Sequence, residues 1–325
     1  MRKRRIFVLL TIIFLISVVL TWLNVSIATA VETEIVSEYV ESDLPLADPN
    51  ATLWEQAISI DVPLSGQIAM PPKNPQASAS SMRIRSLNNG RWVAFLLEWE
   101  DSTQDFGGGL LDFKDSAAIQ FPSEEGEPFY CMGYSKGLVE ILHWRSDFQL
   151  DITEGAPEAQ NIYPNMWMNN YSVGDQATFL TGQGSGNIMS LASRITPVED
   201  LVAGGAGTLT TQPHSDGVGW GEWDSGTWKA VIGRPMITID VEDAQFVSGM
   251  STSLAVAAWN GGNKEVNGKK AISTWLSLKI NGPKGAASET AGGFGLPYNI
   301  VFTVSWLVVL VMGSAVATWV IARRK

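Results

Sequence analysis

One cysteine and two histidines in 325 residues remove whole classes of chemistry. A c-type haem needs Cys-x-x-Cys-His, an iron–sulfur cluster needs several thiolates, and a structural zinc site needs four Cys or His ligands. None of these can be assembled from this chain. A single cysteine also excludes an internal disulfide, so the fold has to be held by its core, with Cys131 a small buried apolar residue. The motifs Gly-x-Ser-x-Gly, His-Glu-x-x-His and the phosphate-binding loop are missing too. The carboxylate pairs Glu124-Glu125 and Glu222-x-Asp224 sit in Gly- and Pro-bounded loops, where solvated acids are the ordinary outcome.

Positive charge is scarce and concentrated at the ends. Arg2-Lys3-Arg4-Arg5 opens an apolar run that closes on Ala28-Thr29-Ala30, the pattern of a cleaved export signal over residues 1–30. A second apolar run, residues 300–321, carries no charge and is followed by Arg323-Arg324-Lys325. Its length suits a helix crossing ~30 Å of hydrocarbon, with the basic tail (322–325) on the cytoplasmic side. The expected topology is one membrane pass with the large domain on the extracytoplasmic side. Setting aside the four bases of the signal and the three of the tail leaves 15 against 33 acids, a formal charge of −18. Such a surface repels nucleic acid and anionic lipid; it either serves solubility alone or suits a basic partner reached by electrostatic steering.

No part of the exported region keeps a 3.6-residue apolar period over three turns. It shows instead many short runs rich in aromatic and β-branched residues, bounded by Gly, Pro, Asn or Asp: 92–99, 116–121, 138–144, 227–232, 237–241, 253–259 and 272–280. Thirteen tryptophans supply much of the core. This spacing predicts an all-β fold, an antiparallel β-sandwich over residues 50–285, followed by the one C-terminal transmembrane helix. Residues 31–49 read as an acidic linker, 286–299 as a small-residue tether, and 151–224 as a long irregular insertion. Asn50-Ala51-Thr52 and Asn170-Tyr171-Ser172 fit the glycosylation pattern.

A set of fragments in fixed order runs through this region. It comprises Arg85-Ser86-Leu87-Asn88-Asn89-Gly90 before the 95–98 strand, Trp99-Glu100-Asp101, and Asp115-Ser116-Ala117-Ala118-Ile119-Gln120-Phe121-Pro122. Then come Met132-Gly133, Trp144-Arg145, Gly226-Thr227-Trp228-Lys229-Ala230-Val231-Ile232-Gly233-Arg234-Pro235, and Ala255-Val256-Ala257-Ala258-Trp259-Asn260-Gly261 ahead of Lys270. In these the chain resembles the haem b-binding gamma subunit of the type II dimethyl sulfoxide reductase family, which serves ethylbenzene and dimethylsulfide dehydrogenases, selenate and chlorate reductases and nitrite oxidoreductase. The C-terminal helix departs from the soluble members and points to a membrane-tethered version.

The resemblance implies one haem b with Met132 and Lys270 as axial ligands. A thioether favours ferrous iron and raises the potential. A lysine amine binds only after losing a proton whose solution pKa is ~10.4, so burial has to assist. Lys269 competes with Lys270 for this role, and the Lys-Ala-Ile-Ser-Thr-Trp register favours Lys270. His143, mid-strand, is a rival ligand; His214 reads as a loop residue. Arg145 and Arg234 are candidates for pairing with haem propionates, since guanidinium matches carboxylate bidentately. The partners implied are an iron–sulfur beta subunit and a molybdopterin alpha subunit in a heterotrimer, with a basic c-type cytochrome or the quinone pool beyond. A different class also suits tryptophan-rich strands: a membrane-anchored carbohydrate-binding module without haem, whose tryptophan faces would be exposed.

Overall fold

Short strands dominate the computed structural model of the chain, which describes residues 34–155, 162–165, 187–188 and 194–283. In chain order they are β1 (Glu34–Tyr39), β2 (Ile60–Pro63), β3 (Ser65–Gly66), β4 (Ser81–Asn88), β5 (Trp92–Glu100), β6 (Ser116–Pro122) and β7 (Val139–Arg145). The helix α1 (Ser146–Glu154) follows, then β8 (Val198–Ala203), β9 (Thr210–Thr211), β10 (Val218–Asp224), β11 (Thr227–Pro235), β12 (Ser251–Trp259), β13 (Ala271–Ile272) and β14 (Leu276–Ile280).

Two sheets share β12. Its residues 251–254 pair with β14 in a sheet ordered β10-β11-β5-β4-β1-β14-β12. Its residues 255–259 pair with β6 in a sheet that continues β6-β7-β8-β9, with β13 and β3 beside it. The inner faces meet in one core: Phe95, Leu97, Trp99 and Trp228 from the first sheet against Ile119, Phe121, Leu142 and Trp144 from the second. Trp144 touches both Trp99 and Trp228, with ring centroids 6.0 and 4.9 Å away. Each such pair adds roughly 0.5–1.5 kcal/mol beyond burial alone.

The second sheet is apolar on its outer face as well. Ala118, Ile141, Leu201, Ala257 and Trp259 form a separate cluster there, with Tyr130 and Met132 packed against it. Burial on both faces explains why β6 and β8 have no exposed residue, although Gln120, Glu199 and Asp200 lie within them. This outer face carries the site described below.

Four expectations need correction. The sandwich is not wholly antiparallel, because β1 runs parallel to both β4 and β14. That strand comes from the segment read as an acidic linker; Ile35 and Ser37 are buried in it while the glutamates look outward, so acidity marked one face and not a loop. The strand expected at 237–241 is absent: Ile237, Ile239 and Val241 are 68, 89 and 91 % exposed. Alternation alone forms no strand without a partner edge, and here the Gln245 amide oxygen accepts from the Thr238 N–H instead. The stretch 151–224 also holds more order than its composition implied, namely β8, β9 and β10. Among the described residues no helix is long and apolar enough to cross a membrane. The expected export signal, tether and transmembrane run lie outside the described residues.

Candidate functional site

Strand alternation sorts the side chains of β7. Leu142 and Trp144 face the core, while Ile141, His143 and Arg145 face outward into a cavity of about 880 Å3. Leu201 and Trp259 extend its floor, Met132 and Cys131 enter from the loop between β6 and β7, and Lys270 enters from the segment before β13. The two residues singled out from sequence as a ligand pair therefore line one cavity.

The backbone at Met132 is unusual. Met132 has φ 71° and Gly133 φ 69°, two consecutive residues in the left-handed region that a side chain bearing a Cβ rarely occupies. The turn is locked by the Gly133 N–H donating to the Phe129 carbonyl (2.8 Å) and by the Gly205 N–H donating to the Met132 carbonyl (2.8 Å). Such a conformation costs on the order of 1 kcal/mol and persists where its surroundings impose it, commonly at functional sites. Here it directs the thioether to the cavity.

Lys270 is fixed by a residue that sequence reasoning missed. The Gln67 N–H donates to the Lys270 carbonyl (3.0 Å), and the buried Gln67 amide donates to the carbonyls of Met70, Pro72 and Gly268. No sequence signal marks a lone glutamine as a clamp. The Lys270 Nζ lies 5.1 Å from the centroid of the Trp259 ring, and burial pushes its pKa down, opposed by the Cys131 sulfur. Lys269 faces solvent.

His143 rests against Trp259, ring centroids 4.9 Å apart. Burial, with Arg145, Lys114 and Lys270 nearby, holds its pKa well below the usual imidazole value, so the ring is neutral. Among the described residues its Nε2 has no hydrogen-bond partner. His214 is exposed. Cys131 is a free, buried thiol at the cavity wall.

The two arginines have different fates. Arg145 lines the cavity; it grips both oxygens of Asp147 (3.0 and 2.7 Å), reaches Glu199 (3.0 Å) and lies over the Phe148 ring. Three of its five N–H groups are thereby used, which leaves two for another acceptor. Lys114 joins at Asp147 (3.2 Å), and burial lowers its pKa. Arg234 is not brought to the cavity. It sits wholly enclosed on β11, bound to Glu140 and 3.5 Å from Asp243, because alternation on β7 turns Glu140 away from the His143 face. Arg234 thus serves the interior and is not placed to meet a carboxylate in the cavity. The acids Glu124, Glu125, Glu222 and Asp224 are exposed, as expected of solvated loops.

With this geometry in view, likeness to known proteins is informative. The family model for ethylbenzene dehydrogenase matches residues 51–271. A Haloferax mediterranei protein named as a respiratory nitrate reductase heme subunit is 23 % identical over 320 residues, 97 % of this chain and 95 % of the relative. The gamma subunit of chlorate reductase from Ideonella dechloratans is 25 % identical over 243 residues, 72 % of this chain and 80 % of that one. Among solved structures, a family 9 carbohydrate binding module from Caldicellulosiruptor kristjanssonii in complex with glucose aligns at a TM-score of 0.40 and 7 % identity, covering 78 % of this chain and 97 % of that one.

Proposed function

The chain belongs to the ethylbenzene dehydrogenase family and is a gamma-type haem subunit of the dimethyl sulfoxide reductase class, and on that premise we propose that Met132 and Lys270 hold its haem b in the cavity on the outer face of the second sheet. The observation that carries this reading is that these two residues, far apart in sequence, line the same cavity.

The residues present fit the group. The cavity falls within the ~300–1,000 Å3 of ordinary cofactor and ligand sites, and Ile141, Leu201 and Trp259 offer an apolar floor that excludes water. Met132 supplies a neutral, soft donor. Lys270 supplies an amine whose proton burial has already loosened. Lys114 and the two uncommitted N–H groups of Arg145 are placed to meet propionate carboxylates. Bound there, haem supplies a one-electron ferrous/ferric couple. Two protein ligands leave no open position for oxygen or substrate, so the subunit carries electrons and performs no bond chemistry.

In this reading the subunit relays electrons between the iron–sulfur beta subunit of a molybdenum oxidoreductase and an external acceptor or donor, with a molybdopterin alpha subunit completing a heterotrimer. The acidic excess suits a basic c-type cytochrome; the membrane quinone pool is the other terminus. Export and a single C-terminal span would put the domain on the extracytoplasmic face of the cell membrane. The carbohydrate-module reading needs exposed tryptophan faces, and among the described residues no tryptophan is exposed.

The test is an absorption spectrum of the purified chain, oxidised and dithionite-reduced, with a pyridine haemochrome. A sharp b-type alpha band of low-spin haem supports the reading, and Met132→Ala should abolish that spectrum or lower the potential. A protein that stays colourless after haem reconstitution overturns it. His143 keeps an open nitrogen in the same cavity, so loss of the low-spin spectrum in His143→Ala, with Met132→Ala or Lys270→Ala retaining it, would reassign a ligand.

A further inference from the structure

Behind β7, away from the haem cavity, lies a second concentration of charge. Glu140, Asp200 and Asp243 place one carboxylate oxygen each within 4.8 Å of one another, and all three are buried, the most exposed at 2 %. The nearby cation is Arg234, bound to Glu140 and at 3.5 Å from Asp243. Three carboxylates against one guanidinium leave a formal charge of −2 in a dry interior, and uncompensated buried charge costs several kcal/mol per ion.

Among the described residues, two atoms in this cluster have no partner. The Glu140 Oε1 accepts nothing, while its other oxygen takes the Arg234 guanidinium and the Ala244 N–H (2.8 Å). The Gln212 Oε1 is also unpartnered, on a side chain only 4 % exposed. Its amide head lies among the acids, since the Gln212 Nε2 donates to Asp200 Oδ1 (3.2 Å) and Asp243 Oδ1 (2.9 Å). Rotating that amide exchanges nitrogen for oxygen and turns a donor shared by two acids into a further oxygen ligand.

We propose that Glu140, Asp200, Asp243 and the Gln212 amide oxygen form a buried site for one divalent hard cation of the calcium type. A 2+ ion balances the residual charge. The donors are all oxygen, with no thiolate or imidazole, which selects the calcium and magnesium class over zinc or copper. Calcium tolerates irregular oxygen cages at 2.3–2.6 Å, whereas magnesium demands near-ideal octahedra and keeps its waters; a dry, asymmetric cluster fits the former. The ion would join β7, β8 and the Gln212 segment to residues 236–250, the connection from β11 to β12. Thr238 already donates to Asp243 (2.7 Å) there. The alternative is neutralisation by protons, and burial does push Glu140 up to about 8 and Asp200 up to about 7.

The full chain, stripped with EDTA and exchanged into metal-free buffer at pH 7.5, is titrated with calcium chloride by calorimetry and by thermal unfolding. The proposal expects one tight equivalent and a melting temperature raised by roughly 5–10 °C at 100 times the dissociation constant. Glu140→Gln should lose that equivalent, while Asp240→Asn, outside the cluster, should keep it. Wild-type protein with no tight equivalent and no calcium-dependent melting overturns the proposal, as does a Glu140→Gln variant that binds like wild type. Should Glu140→Gln fail to fold, the wild-type titration decides. Haem content, read from the same samples, reports separately on the cavity.

Discussion

Lys270 places its Nζ 5.1 Å from the centroid of the Trp259 ring, while Lys269, one residue earlier, faces solvent. The indole is itself held, its N–H donating to the Asn267 carbonyl (3.0 Å), so the amine meets a fixed wall. An aromatic face favours the ammonium, whereas burial pushes the pKa down against the opposing influence of Cys131. Lys270→Ala should therefore lose the low-spin haem spectrum, and Lys269→Ala should leave it close to wild type. Lys270→Arg should not rescue it, because a guanidinium cannot give up its proton to a metal. The spectra of the three variants decide, and the reverse pattern would move the ligand to Lys269.

Gly133→Ala tests whether the turn aims the thioether. A Cβ at Gly133 would sit 2.5 Å from the Gly137 carbonyl oxygen, at a φ of +69° that favours glycine. Both penalties fall on backbone, so neither relaxes by a side-chain rotation. We expect a loss of about 1–3 kcal/mol and, more tellingly, a reduced ratio of bound haem to protein under conditions where the variant remains folded. Urea unfolding gives the first quantity and the pyridine haemochrome the second.

The core strands were legible because burial leaves a mark on composition: the runs at 92–99, 116–121 and 138–144 match β5, β6 and β7 within two residues at either end. What misled was chemistry read without a partner. Ile237, Ile239 and Val241 alternate as a strand should, but among the described residues they pair with no strand and stay exposed. β1 looked like a linker because its outward face is acidic. For the site, Met132 and Lys270 were legible only through the surrounding pattern of fragments, since each residue type alone points to core filler or a solvated turn. Gln67 and the Lys114–Asp147–Glu199 group were invisible, because their roles depend on which segments the fold brings together. The two arginines show the limit most clearly: both lie in matching motifs, and what separates Arg145 in the cavity from Arg234 in the interior is the sheet that each strand joins, β7 in the second and β11 in the first.

That separation can be measured. Arg145→Ala leaves Glu199 without its cation and Asp147 with Lys114 alone at the cavity wall, and Arg234→Ala leaves Glu140 and Asp243 without a cation in the interior. Removing one partner of a buried pair costs about 3–5 kcal/mol, so both variants should unfold at markedly lower urea. Only Arg145→Ala should also loosen haem or shift its potential. A potential change in folded Arg234→Ala equal to that in Arg145→Ala would contradict the assignment of the two roles.

Asp101 provides the pH test. Its carboxyl is buried beside Asp115, and desolvation followed by that neighbour's charge raises its pKa from 3.8 to about 7. One oxygen accepts from Thr103 and from the Asn260 amide (2.7 Å), while the other is buried with no partner among the described residues. The folded chain therefore retains a proton that the unfolded chain releases near pH 4. Stability from this group is fully present below about pH 3.8 and is lost as pH rises towards 7, beyond which the cost is constant. Asp101→Asn keeps the accepting oxygen and abolishes the ionisation. It should match wild type at pH 4, exceed it at pH 8, and show a shallower decline between. Glu140 and Asp200, also raised, contribute to the same slope in both proteins, so the difference between the two urea midpoints reports on Asp101 together with its neighbour Asp115, whose carboxyl pKa burial also raises. A difference that does not change between pH 4 and pH 8 would mean the carboxylate is accommodated in the folded state as well as in water.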